Sequence, residues 1–217
     1  MGHKRVFGYF EVAFDILYLF SVLIAGVWLL FSGATRLHVL AGAMALILVA
    51  GDSFHLVPRI AAVVTGEEEK LNWALGVGKL VASISMTIFY VLLWHIGLLL
   101  YLPDGTSAWT VPVYILALLR IALCLFPQNK WFDRDQPVRW SIGRNIPFFL
   151  LGAAVAGLFW SFRGNVSGPG AMWLAIVLSF AFYLPVVLWV GRSPKLGMLM
   201  FPKTCAYVWI VLMCFGI

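Results

Sequence analysis

A small set of polar side chains interrupts the long apolar runs of this chain, and their types could do chemistry. Glu11, Asp15, Asp52 and His55 could give or take protons. Arg59, Lys79, Arg120, Arg144, Asn145, Tyr183 and Lys203 could hold an anion or a polar head group. Spacing sorts them onto shared helix faces. Glu11, Asp15 and Tyr18 stand at i, i+4, i+7. Asp52, His55 and Arg59 stand at i, i+3, i+7, and Lys203 and Tyr207 at i, i+4. Residues so separated lie on one side of a helix. Two carboxylates in one place suit acid–base work, one keeping its proton while the other accepts one. Neighbouring guanidinium and ammonium groups suit a phosphate or carboxylate.

The elements that position these residues are long and apolar. Of the 217 residues 63% are hydrophobic and 11% charged, against about 25% charged in soluble chains. A membrane-crossing helix needs about 20 apolar residues. Residues 8–31, 37–62, 72–101, 109–127, 141–162, 170–191 and 196–217 meet that need. They predict one all-α domain over residues 1–217, an integral membrane bundle of seven transmembrane helices. Breaks fall at Ser32-Gly33, at Gly66 with Glu67 to Glu69, at Pro103-Asp104-Gly105, in the polar run 128–139, at 164–170 and at Ser193-Pro194. The basic start, His3-Lys4-Arg5, leads into a retained first helix, since no small-residue cleavage site follows.

The net charge of +6 reads as a topology signal and not as a nucleic-acid footprint. Lys4, Arg5, Arg59, Lys70, Lys130, Arg134, Arg139, Arg144, Arg192 and Lys195 fall on the N-terminal side, and only Arg36 and Arg163 on the other. Basic loops stay inside, so the N-terminus is expected in the cytoplasm and the C-terminus outside. That places a multi-pass protein in a bacterial cytoplasmic membrane. Cys124, Cys205 and Cys214 lie in apolar spans without metal-site spacing. No phosphate-cradling glycine loop, Ser-His-Asp order or CxxC pair occurs, and no cofactor is implied.

On this topology the intramembrane polar groups fall at one depth, in the cytoplasmic half, with a contribution from every helix. Ions in lipid are costly and normally face a bundle interior. The expectation is a polar pocket open toward the cytosol and lined by these groups. The competing expectation is a fully paired salt-bridge network that only fixes helix packing. Pro58, Pro147, Pro185 and Pro202 stand near the layer, each freeing a backbone carbonyl.

The most specific string is Gly51-Asp52-Ser53-Phe54-His55-Leu56-Val57-Pro58-Arg59. It resembles the lysoplasmalogenase (YhhN-like) family of polytopic membrane proteins, which carry a Gly-Asp pair in a membrane helix. Trp73-Ala74-Leu75-Gly76 is similar to the start of that family's next helix, and Pro202-Lys203-Thr204-Cys205-Ala206-Tyr207 to its last. The resemblance spans about ten residues well. Where the family has a histidine in its next helix, residues 79–85 have none. Where it has a Ser-Asp pair, this chain has Leu184-Pro185, and it has seven predicted helices rather than eight. The resemblance implies hydrolysis of a lysolipid vinyl ether with release of an aldehyde. It carries over Asp52 as the acid, with Asp15 or Glu11 as base and His55 beside them. Arg59, Lys79, Arg120 or Arg144 would hold the lipid phosphate.

Other readings stay open. Asp52 and His55 with Glu11 and Asp15 could ligate a divalent ion, although the nearby cations disfavour it, and no metal is expected. Lys203 in a seventh helix invites comparison with retinal-binding bundles, yet Lys79 stands where a counter-ion would. A non-enzymatic binder or a proton-coupled transporter of an amphiphile or organic anion is the alternative to a hydrolase. The expected partner in either case is a lipid or amphiphile and not a nucleic acid.

Overall fold

The computed structural model describes residues 2–33, 35–101, 107–133, 136–165, 169–189 and 193–217. Arg134, Arg192 and the Pro103-Asp104-Gly105 break lie outside them, as do the side chains of His3, Lys4 and Arg5. Among the described residues the chain is all-α. Helices α1 (Gly2–Ser32), α2 (Arg36–Thr65), α3 (Asn72–Tyr101), α4 (Ser107–Leu125), α5 (Val138–Ser161), α6 (Met172–Trp189) and α7 (Met200–Met213) follow in that order, with 3-10 segments at Pro127–Asn129, Pro169–Ala171, Pro194–Leu199 and Cys214–Gly216. Seven helical segments are long and apolar enough to cross a membrane. In lipid every backbone polar group needs an internal partner, which only helices or closed barrels provide.

Two faces of α1 show how such a sequence folds. Asp15, Tyr18, Val22, Ala25 and Leu29 are buried, whereas Leu17, Phe20, Ile24, Trp28 and Phe31 are exposed. The buried set advances by alternate steps of three and four, the spacing of a packed helix seam. Its lower end is polar, so one seam delivers both core contacts and site residues. On α2 the stripe of Ala41, Met44 and Leu48 continues into Asp52, His55 and Arg59 in the same way. α7 meets both α6 and α1, which closes the bundle, and α3 also touches α5. Phe89, Tyr90, Leu93, Leu151, Val155, Phe159, Ile176 and Ile210 fill the interior of the other half.

α2 and α3 approach too closely for ordinary side chains. A methyl group at Gly78 would stand 2.6 Å from His55 Cα and closer still to the Phe54 carbonyl oxygen, and one at Gly51 would meet the Ser85 side chain. α2 ends at Gly66, which takes φ 75 and returns its N–H to the Ala62 carbonyl.

Helix limits differ from the sequence expectation at prolines. α4 stops at Leu125 because Phe126 precedes Pro127 and is extended, with φ −64 and ψ 133. The last span starts as a 3-10 segment, Pro194–Leu199, and becomes α-helical only at Met200. This leaves Pro202 in the first turn, where a missing N–H is harmless. Pro58, Pro147 and Pro185 lie inside their helices.

Candidate functional site

The polar residues gather at the end of the bundle where α1 begins, but they form two groups and not one ring. The first lines a cavity of about 300 Å³ between α1, α2 and the start of α7. Glu11 and Asp15 come from α1, and Asp52, His55 and Arg59 from α2. Lys203 and Tyr207 come from α7. Phe14, Leu56, Met198, Met200 and Phe201 make the rest of the wall largely apolar. Ligand pockets start at about this volume, so the cavity suits one head group or one reacting bond.

Within the cavity the charges are only partly paired. Arg59 Nε donates to Glu11 Oε1 at 2.7 Å, and the same guanidinium lies 3.8 Å from Glu68 in the α2–α3 turn. Tyr18 OH donates to Asp52 Oδ2 at 2.6 Å. Asp15 is 7% exposed and makes no hydrogen bond or ion pair among the described residues. The buried His55 Nδ1 also has no hydrogen-bond partner among the described residues. Lys203 Nζ sits 4.8 Å from the Tyr183 ring centre and 5.0 Å from that of Tyr207. Aromatic faces attract cations in this way. The fully paired network is therefore not what the bundle contains, since Asp15, Asp52 and Lys203 form no ion pair among the described residues. None of the His, Cys, Asp and Glu side chains described cluster in threes as a metal would need.

The second group lies where α4 ends and α5 begins. Asn129 accepts from Arg144 Nη1 at 2.8 Å and gives its own amide to the carbonyls of Leu123 and Phe126 at 2.6 and 2.8 Å. Asn129 thus covers carbonyls that α4 leaves open at its C-terminus. Arg144 also reaches Gln136 and Ser141 and stacks 3.9 Å from the centre of Trp131. Arg120 donates to the Arg144 carbonyl oxygen and lies over Phe148. Asn145 accepts from Tyr183 OH at 3.2 Å, and Tyr183 turns its ring to Lys203, so the two groups touch through one tyrosine.

Of the residues singled out in the sequence, Glu11, Asp15, Asp52, His55, Arg59 and Lys203 surround the cavity. Arg120, Arg144, Asn145 and Tyr183 belong to the second group, and Lys79 lines neither the cavity nor an ion pair among the described residues. Nothing in the sequence singles out the apolar wall. Phe14, Met198 and Phe201 look in sequence like any other lipid-facing residue. Asn129 and Trp131 lie in the polar run 128–139, where only an amide two residues after a proline and just beyond a helix end hints at a cap.

The Tyr18–Asp52 bond has a measurable consequence. Tyr18→Phe removes the one hydrogen bond described for a carboxylate held between three helices. Leaving such a group unsatisfied costs about 1–3 kcal/mol. Thermal unfolding of the purified variant should shift down accordingly, and an unchanged midpoint would show that the bond contributes nothing.

No protein-family model matches the chain, and no curated protein or solved structure matches it either.

Proposed function

We propose that this protein is a membrane-embedded hydrolase of a single-chain ether lipid, working in the α1–α2–α7 cavity from the cytoplasmic half of a bacterial membrane. The observation that carries the reading is that Asp15 and Asp52 share one small cavity and neither is ion-paired among the described residues. Charge asymmetry of the loops supports a cytoplasmic opening. The likeness of residues 51–59 to lysoplasmalogenases supports a vinyl ether as the bond attacked.

The chemistry follows from where each group stands. Asp52, protonated, gives its proton to the outer carbon of the vinyl ether, and the positive charge moves to the carbon bearing oxygen. Asp15 takes a proton from water as that water adds to the charged carbon. The resulting hemiacetal passes its hydroxyl proton to the ether oxygen and separates into an aldehyde and an alcohol. Tyr18 holds Asp52 in place. Arg59, tied to Glu11, sits at the mouth. Phe14, Met198, Met200 and Phe201 offer an apolar wall for the alkyl chain.

The test is aldehyde release by the purified protein from a lysoplasmalogen in mixed micelles, set against a diacyl lipid. Release only from the vinyl ether supports the reading. Saturable lysolipid binding without release would assign the cavity to a binder instead, and neither would remove amphiphiles from consideration.

A further inference from the structure

One wall of the carboxylate cavity is a tyrosine whose hydroxyl belongs to a buried chain. Tyr207 lines the cavity and is 2% exposed, while Tyr90 and Ser179 behind it are fully buried. Tyr207 makes side-chain hydrogen bonds with Tyr90 and with Ser179. Tyr90 OH lies 3.0 Å from Ser179 Oγ, and Ser179 Oγ lies 2.8 Å from the Ile176 carbonyl oxygen. Edge-on packing holds both rings, Tyr90 against Phe148 at 5.3 Å and Tyr207 against Phe89 at 5.6 Å. α3, α6 and α7 thus each give one hydroxyl to a single cluster.

The chain of hydroxyls has a direction. Each hydroxyl has one proton to give, and a carbonyl can only accept. Ser179 gives its proton to the Ile176 carbonyl, Tyr90 gives its proton to Ser179, and Tyr207 gives its proton to one of the two oxygens behind it. Every proton is then used inside the protein. The opposite order would leave the Ser179–Ile176 contact without a proton. It would also turn the Tyr207 proton toward the cavity, where no acceptor bonds it among the described residues. A buried hydroxyl without a partner is costly, so the first order prevails. The Tyr207 oxygen therefore meets the cavity as an acceptor, its own proton already committed.

We propose that Tyr207 selects ligands that carry a free hydroxyl beside the bond held at Asp52, by accepting a hydrogen bond from that hydroxyl. Tyr90 and Ser179 are positioning residues that set the polarity of Tyr207. The ligand class rests on the hydrolase reading, whereas the polarity of the site does not. In a single-chain ether lipid the glycerol carbon next to the ether-bearing carbon carries a hydroxyl, which is a donor. In a two-chain lipid that oxygen is esterified and has no proton, so it would set acceptor against acceptor. A site with a fixed polar group rejects a ligand that cannot pair with it far better than it senses chain length.

Non-hydrolysable probes test this. They are a saturated alkyl-ether lysolipid with the neighbouring hydroxyl, its deoxy analogue and its methyl ether, each titrated by calorimetry into protein purified in non-ionic detergent. Wild type should bind the hydroxyl probe about five- to tenfold more tightly than either of the others. Tyr207→Phe keeps the ring and should bring all the probes within about twofold of one another. Ser179→Ala touches no ligand but frees the Tyr90 proton to turn to Tyr207, whose own proton then faces the cavity. In that variant the methyl ether should bind more tightly than the deoxy probe. A merely structural Ser179 would weaken every probe alike. Monodispersity and thermal unfolding establish that the variants are folded, and the wild-type and Tyr207→Phe series decide the matter even if Ser179→Ala is not. Equal affinity of wild type for the probes, or binding of none, overturns the proposal. The wild-type order of probes persisting in Ser179→Ala overturns the directed chain. A hydroxyl preference without aldehyde release keeps the polarity and sinks the hydrolase reading, and aldehyde release with equal affinities does the reverse.

Discussion

Gly78→Leu should yield no monodisperse protein, while Gly157→Ala should yield as much as the wild type. Both glycines lie inside long helices, so helix propensity favours alanine at each by about 1 kcal/mol. Their surroundings differ. Nothing approaches a methyl group at Gly157 within 4 Å, whereas at Gly78 it meets the backbone of α2, with His55 Cα at 2.6 Å. A flexible side chain could turn away from such an intrusion, but backbone cannot, so α2 and α3 would have to part along their length. Even Gly78→Ala should cost about 3 kcal/mol, the upper part of the range for overpacked interiors. The check is size-exclusion yield with thermal unfolding. A well-behaved Gly78→Leu protein would mean that α2 and α3 do not meet as described.

Asp52→Asn should lower aldehyde release by about 10²- to 10⁴-fold, the usual contribution of a general acid, without lowering the unfolding midpoint. The amide oxygen of asparagine can still accept the Tyr18 hydroxyl proton, so shape and hydrogen bond are kept. What is lost is the proton delivered to carbon. Asp15→Asn should lower the rate as well, and the double variant should be hardly slower than the slower single one, because the two groups act as a unit. Turnover with rates unchanged in both single variants would exclude the two-carboxylate mechanism. A destabilised Asp52→Asn would instead point to a structural role for the carboxylate.

The sequence was most legible where lipid imposes its own rule. Residues 72–101 form α3 to the residue, and the other helices differ from the expected spans by a few residues, most at the start of α1 and at both ends of α7. Faces were legible too, because i, i+4, i+7 spacing on α1 and i, i+3, i+7 spacing on α2 brought five of the polar groups onto one cavity. What spacing could not give was rotation of one helix against another. A layer at a common depth therefore read as one site, when Arg120 and Arg144 turn toward the α4–α5 turn and Lys203 toward α2. Apolar wall residues were invisible for a plain reason. In a membrane protein the outside is as apolar as the inside, so hydrophobicity carries no direction.

The contact between Gly78 and the α2 backbone also divides the cavity mechanically. Asp52, His55 and Arg59 stand on a helix whose main chain touches that of its neighbour, an interface with no side-chain slack to absorb a shift. Opposite them, Met198 and Gly197 belong to a 3-10 segment, whose hydrogen bonds are poorer than those of an α-helix. Phe201 meets Phe14 edge-on at 4.9 Å, through ring contacts that rotamer changes can open. Deformation on ligand entry is thus channelled to the wall made by α7 and its leading turn. The acid–base groups on α2 keep their positions while the opposite side yields, so ligands of different girth would meet the same fixed carboxylate.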